Sequence, residues 1–146
     1  MNHKTESRRA ESHWIAYLGT VYHRQGDIIQ AQVHYQQALQ MSLELGDRRY
    51  QGMWQGRSGT AYRDLGNIEE GVALLQKALT VSRECADLME EGRWLGELGR
   101  TYWMTGQPDK ARDYLQQSRQ VLGQTEAYVI MQQTWDWADE LEASLT

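Results

Sequence analysis

The amino-acid sequence predicts an all-α protein, a short α-solenoid of three helical hairpins closed by a C-terminal helix, and three observations predict it. Trp14, Trp54 and Trp94 recur at an interval of 40, and Gly19, Gly59 and Gly99 and then Tyr22, Tyr62 and Tyr102 keep the same spacing. Residues 7–46 laid over 47–86 give 13 identities in 40, and 47–86 laid over 87–126 give 10, against roughly two expected by chance for a mixed composition. Within a copy, apolar residues fall at helical intervals in both halves: Trp14, Leu18, Val21 and Tyr22, then Ile28, Ala31, Tyr35, Ala38 and Leu39. A period of this length marks one supersecondary unit copied and stacked, because each copy alone cannot bury its apolar face. No segment alternates with period two for long enough to predict a strand.

The elements follow in order. Ser7, Asp47 and Asp87 stand where a first helix needs a side-chain acceptor for its free N–H groups, and each is followed by a long stretch without proline. Gly26, Gly66 and Gly106 are placed to close that helix in the left-handed conformation. Asp27, Asn67 and Gln107 then cap the second helix, and Pro108 fits its first turn, where the missing donor costs nothing. So short a connection forces the two helices antiparallel. The predicted organisation is a single domain over residues 1–146, with repeat 1 at 7–46, repeat 2 at 47–86, repeat 3 at 87–123 and a C-terminal helix at 125–145. In that last helix Tyr128, Met131, Trp135, Ala138 and Leu145 form a stripe that would cover the third hairpin. Ile130 and Trp137 flank the stripe and widen its apolar arc, so a cover for that face is expected: the same helix in a second copy, giving a homodimer, which is the preferred reading, or a further domain. Gly52, Gly56, Gly92 and Gly96 each cost about 1 kcal/mol inside a helix relative to alanine, so they mark places where a neighbour approaches closely.

These residues resemble a known family, the tetratricopeptide repeat in a 40-residue form. The family's spacing of Gly, Tyr, a small residue, an apolar residue and Ala reads as Gly19, Tyr22, Ala31, Tyr35 and Ala38. It recurs as Gly59, Tyr62, Gly71, Leu75 and Ala78, and more loosely as Gly99, Tyr102, Ala111, Leu115 and Ser118. The stretch from Gly46 and Asp47 to Gly59 and Tyr62 is similar to the repeats of Leu-Gly-Asn proteins, kinesin light chains, and the sensor arms of bacterial signalling ATPases and maltose-activator-type regulators. The resemblance covers residues 7–123 and implies a protein-interaction module.

Composition bounds the alternatives. The 146 residues are 40% hydrophobic and 24% charged, with net charge −5, ordinary values for a globular chain. A single cysteine, Cys85, excludes an intramolecular disulfide, and the polar start from Met1 to Ser12 carries no apolar signal region. A cytoplasmic location without membrane attachment is the expectation. No phosphate-cradling glycine loop, His-Glu-x-x-His, cysteine pair or Gly-x-Ser-x-Gly elbow is present, and His3, His13, His23 and His34 never stand three or four apart. The sequence therefore predicts no enzyme, no metal and no cofactor. Basic pairs at Arg8 with Arg9 and Arg48 with Arg49 are too short, on an acidic chain, to predict nucleic-acid binding. Cys85 and the Trp series are read as packing residues, and Gln36, Gln76 and Gln116 as an outer-face habit of the repeat.

The resemblance also implies which residues line a concave groove: the first helix of each hairpin. Transferred onto this chain, those positions are His13, Ala16, Tyr17, Thr20, His23 and Arg24; Met53, Gly56, Arg57, Thr60, Arg63 and Asp64; and Arg93, Gly96, Glu97, Arg100, Trp103 and Met104. The set holds five arginines against one Asp and one Glu, on a protein of net charge −5. Arginine's planar fork suits carboxylates, so the expected partner is an acidic peptide or protein segment. Tyr17, Thr20, His23, Arg57, Thr60, Arg63, Arg93, Glu97, Arg100 and Trp103 are the candidate contacts. Where Leu-Gly-Asn repeats carry asparagines that hold a peptide backbone, this chain has Tyr17, Thr20, Arg57, Thr60, Glu97 and Arg100. The competing expectation is an assembly element of a larger signalling or regulatory protein.

Overall fold

Carboxylate caps and left-handed turns divide residues 3–122 into six helices. A computed structural model describes residues 3–125, 140–141 and 143–144. The helices are α1 (His3–Arg24), α2 (Ile28–Leu45), α3 (Arg48–Asp64), α4 (Ile68–Glu84), α5 (Leu88–Met104) and α6 (Pro108–Leu122), with no strand among the described residues. Asp27, Asp47 and Asp87 accept hydrogen bonds from the backbone N–H groups of Gln30, Tyr50 and Glu90. Gly26, Gly66 and Gly106 hold φ of +82°, +91° and +76°, as the turn reading requires.

Two cap assignments differ from expectation. Ser7 lies inside α1, which begins at His3; residues 3–11 contain no breaker and Glu6 favours the first turn, so the helix runs past the repeat boundary. Gln107 occupies the cap position of α6 but makes no side-chain cap bond. Its amide donates to Thr105 Oγ1 instead.

The chain divides into two compact units, Met1–Val81 and Ser82–Thr146. In the first, Ala16, Ala38 and Trp54 form a buried cluster flanked by Ile15, Leu39, Tyr50 and Met53, so the second hairpin inserts its tryptophan between the two helices of the first. Ala31, Tyr35 and Ala61 form another, with Tyr22 and Ile28. Gln36, predicted to be an outer-face habit, instead ties the hairpins together. Its amide donates to Ser58 Oγ, while Gln32 donates to Ser58 O and accepts from Ser58 Oγ.

In the second unit Ala111, Leu115, Leu122 and Leu141 form the core, with Tyr102 and Trp103 packed against it. Leu141 lies outside the stripe read from sequence, although it keeps the interval of 40 that separates the buried Ala61 and Thr101. Ile130, Trp137 and the stripe residues Tyr128, Met131, Trp135, Ala138 and Leu145 lie outside the described residues.

Glycines set the helix spacing. A Cβ on Gly59 would stand 3.0 Å from Gly71 O and from Leu74 Cβ, and one on Gly71 would stand 2.8 Å from Gly59 O. The two backbones of this hairpin meet directly. On Gly52 the added carbon would meet Val81, and on Gly92 it would meet Leu122, which accounts for glycines in mid-helix.

Two predictions follow from this backbone. Gly59→Ala forces α3 and α4 apart and should lower stability by about 1–3 kcal/mol, a fall in Tm of about 2–4 °C per kcal/mol for a chain of this size; an unchanged thermal melt would remove the close-approach assignment. At the end of α4, Ala86 adopts φ +54° at the place where repeat 1 has Gly46 at φ +66°. A left-handed alanine costs about 1 kcal/mol, so Ala86→Gly should raise the urea midpoint and Gly46→Ala should lower it.

Candidate functional site

α1 and α3 lie side by side in the first unit, and their polar stripes converge. Tyr17, Thr20 and His23 project from α1, and Arg57, Thr60, Arg63 and Asp64 from α3. Thr20 Oγ1 is the hub: it stands 3.1 Å from Tyr35 Oη, within reach of Ala16 O at 3.3 Å, and accepts from Arg57 Nη1 at 3.4 Å. The Arg57 guanidinium also lies 6.0 Å from the centre of the Trp54 ring, a cation–π distance. Burial pushes the Tyr35 phenol up, against the opposing influence of Thr20 and Arg57, so Tyr35 is neutral and can donate to Thr20.

A turn further along, His23 Nε2 lies 2.6 Å from Asp64 Oδ2, and Arg63 Nε donates to Asp64 Oδ1 at 3.0 Å. Arg63 is buried, with only 3% of its side chain exposed. Burial raises the Asp64 carboxyl, but the His23 hydrogen bond and the Arg63 guanidinium outweigh it and bring it down to about 2. Asp64 thus ties α1 to α3 and draws Arg63 inward. Thr60 Oγ1 turns back onto Arg57 O. Tyr17 is exposed and meets Trp14 edge to face at 6.1 Å.

The tryptophan series divides by its surroundings. Trp54 and Trp94 are buried, at 4% and 2%, while Trp14 is 68% exposed. Packing between repeats therefore describes Trp54, which is held by the helices of the preceding hairpin. Trp14 has no such hairpin before it among the described residues. At the rim of this face His13 stacks edge-on against Tyr50 at 4.2 Å and Trp54 at 5.5 Å. Burial lowers the His13 imidazole, Asp47 pulls it back up, and Arg9 adds to the lowering.

On the first helix of the second unit, Arg100 is exposed, Glu97 is half-buried and its carbonyl accepts from Thr101 Oγ1. Arg93 Nε lies 3.3 Å from Glu90 Oε1. Trp103 packs against the Leu115 core, so only part of its ring faces outward. Sequence reasoning missed Tyr35 and Asp64 as the residues that organise this surface. Asp64 stands seven residues after Arg57 and so on the same face of α3, but its pairing with His23 needs the α1–α3 contact to be seen. Among the described residues no group of three or more His, Cys, Asp or Glu could hold a metal ion, and no helix is long and apolar enough to cross a membrane.

The comparisons with known proteins agree with this fold. Two family profiles, both described as tetratricopeptide repeat, match residues 50–124 and 16–37. The fold is shared with aspartyl phosphate phosphatase F from Bacillus subtilis (16% identity, TM-score 0.85), over 94% of this chain and 36% of that one. It is shared also with BtubC from P. vanneervenii (16% identity, TM-score 0.64), over 92% of this chain and 64% of that one. A Podosopora anserina protein with nearly identical TPR-like repeats of kinesin light chain type is 18% identical at TM-score 0.69, over 98% of this chain and 70% of that one. The chain spans about a third of the phosphatase and under two thirds of BtubC. No curated protein matches the chain.

Asp64 makes stability depend on acid. Its carboxyl sits at about 2 when folded and at 3.8 ordinarily, so the unfolded chain binds the extra proton between those values. The contribution is complete above about pH 4 and is lost as pH falls through about 2. Allowing for solvent screening of a partly exposed group it is worth about 1 kcal/mol. Urea midpoints measured from pH 2 to pH 7 should show Asp64→Asn less stable at neutral pH, with the difference from wild type shrinking below pH 4; a constant difference would assign the loss to packing.

Proposed function

Because the chain belongs to the tetratricopeptide-repeat family, a family of protein–protein interaction modules, we propose that it binds an acidic peptide or protein segment through the first helices of its repeats. The observation that carries the reading is the excess of arginine on those helices in a chain of net charge −5. In the first unit Arg57 is half-buried over Trp54 and beside Thr20 and Tyr35, a position held from two sides. Such a guanidinium loses little freedom when it meets a carboxylate. Tyr17 and Thr20 flank it, and His23, Thr60 and Arg63 brace the same face through Asp64 and Arg57 O. The corresponding stripe of α5 offers Arg93, Glu97, Arg100 and Trp103, with Arg100 the most exposed.

The reading is of a non-catalytic module working in the cytoplasm without a cofactor. A competing reading makes the chain an assembly element that self-associates through Ile130 and Trp137 or docks onto a larger signalling or regulatory protein. The arginine stripe has no role in that second reading, whereas an acidic partner uses it directly.

Charge reversal separates the two. Arg57→Glu combined with Arg100→Glu should abolish capture of acidic proteins in a pull-down followed by mass spectrometry, with helicity by circular dichroism unchanged. Wild-type affinity for the captured protein should fall as salt rises. Capture indifferent to both the substitutions and the salt would favour the assembly reading.

A further inference from the structure

Two histidines of α1 meet α3, one at each end of the contact. Ten residues separate His13 from His23, about 15 Å along the helix. At the first end α3 presents Tyr50 and Trp54 stacked at 5.9 Å, and His13 stands edge-on to both rings, at 4.2 and 5.5 Å. At the second end His23 Nε2 lies 2.6 Å from Asp64 Oδ2, with Arg63 on the other oxygen and Tyr35 of α2 edge-on to the imidazole at 6.3 Å. One histidine is held by ring packing and the other by a carboxylate.

A proton affects the two ends differently. Arg9 lies one turn before His13 on the same face of α1, so a charged imidazole would stand beside a guanidinium in a half-buried site. The carboxylate that could offset this, Asp47, is already engaged: Arg9 Nε lies 3.0 Å from its Oδ2, and Tyr50 N–H donates to its Oδ1. At the end of α2 Glu44 is held by Arg8, and on α3 Arg57 brings a further cation to the Trp54 ring. Burial accordingly lowers the His13 imidazole from 6.5, with Asp47 opposing and Arg9 adding to the fall. The released form therefore takes the proton first, so the closed contact is complete above about pH 6.5 and weakens as pH falls below it. At the other end an Nε2–H can donate to Asp64 from a neutral or a charged His23, and the Asp64 carboxyl, at about 2, stays ionised throughout that range.

The closed end also carries a cost of its own. Trp54 is 4% exposed, and its indole N–H meets no acceptor among the described residues. A buried donor without a partner disfavours the closed form, so an opening that lets water reach Trp54 recovers part of what the ring contacts lose. We infer that His13 is a proton-operated latch: acid releases its end of α1 from Tyr50 and Trp54 while His23 and Asp64 hold the other end, and α1 pivots about Asp64. The latch is independent of what the first helices bind.

The test is a proton NMR titration of the whole chain from about pH 8 to about pH 5, the range over which histidine changes charge. His13 should titrate below 6.5, and its Overhauser contacts to the Tyr50 and Trp54 rings should be present at the upper end and lost at the lower. The contact from His23 to Tyr35 should persist, and the protection of the Trp54 indole N–H against hydrogen exchange should fall in acid. His13→Phe keeps a ring and takes no proton, so it should hold its contacts and the Trp54 protection at both ends of the range. Asp47→Asn keeps a capping side chain and removes the carboxylate that favours the charged His13, so it should move the opening to lower pH. His13 contacts kept in acid, with the charged ring held on the aromatic faces as a cation–π pair, overturn the latch, and so does a loss of Trp54 protection that His13→Phe shares. Loss of the His23–Tyr35 contact at the same pH overturns the pivot, because α1 would then leave α3 as a whole.

Discussion

Everything in the first unit depends on helices that approach until backbone meets backbone. That approach is available only where a side chain is missing. Gly59 faces Gly71 across the second hairpin at distances that leave no room for a Cβ on either, and Gly19 faces the Tyr35 ring and Ala31 O in the first. Each such glycine weakens its own helix by about 1 kcal/mol relative to alanine. The loss is offset because the close contact brings the larger neighbours into register. Trp54 can enter between Ala16 and Ala38 only because these two positions are also small. Small residues inside a hairpin and a large one between hairpins are two sides of one packing rule.

The same approach builds the polar surface. With α1 and α3 held close, a threonine hydroxyl on one can reach an arginine on the other, and an aspartate can be shared between His23 and Arg63. Isolated surface ion pairs contribute little, and Arg8 with Glu44, both half exposed, is such a case. The Asp64 pair differs because Arg63 is buried and a buried guanidinium needs a carboxylate partner. One arginine of the stripe is thereby committed to structure, while Arg57, stacked on Trp54, remains at the surface. Burial sorts residues of identical chemistry into different tasks.

Much of this was legible in the sequence. The interval of 40 located all three hairpins, Asp27, Asp47 and Asp87 capped as read, and Gly26, Gly66 and Gly106 took the left-handed turn. Ser7 misled because periodicity marks where a repeat begins, and a helix stops only where the chain offers a reason to stop. Leu141 was missed because the last helix was judged by its own stripe. The interval that placed Ala61 and Thr101 in the core would have placed Leu141 there too. The inward turn of Arg63 and the role of Tyr35 were not legible, since both depend on which helix faces which, and a family position that lines a groove in general says nothing about the partner a given side chain finds beside it.

The first repeat shows how a repeat protein can acquire a surface without changing its plan. Positions 14 and 54 carry the same residue, yet one is exposed and the other is sealed by the hairpin before it. The same ring is packed between hairpins at position 54 and exposed at position 14. The residues around it diverge accordingly: Tyr17 and Leu18 stand where repeat 2 has Arg57 and Ser58. In repeat 2 the arginine contacts Thr20 and the serine bonds Gln32 and Gln36 of the preceding helices. With no preceding hairpin to contact among the described residues, the first repeat gives up those polar partners for an aromatic and an aliphatic side chain. Identity at an interval of 40 therefore does not fix burial; the side chains that face each position from the neighbouring helices do.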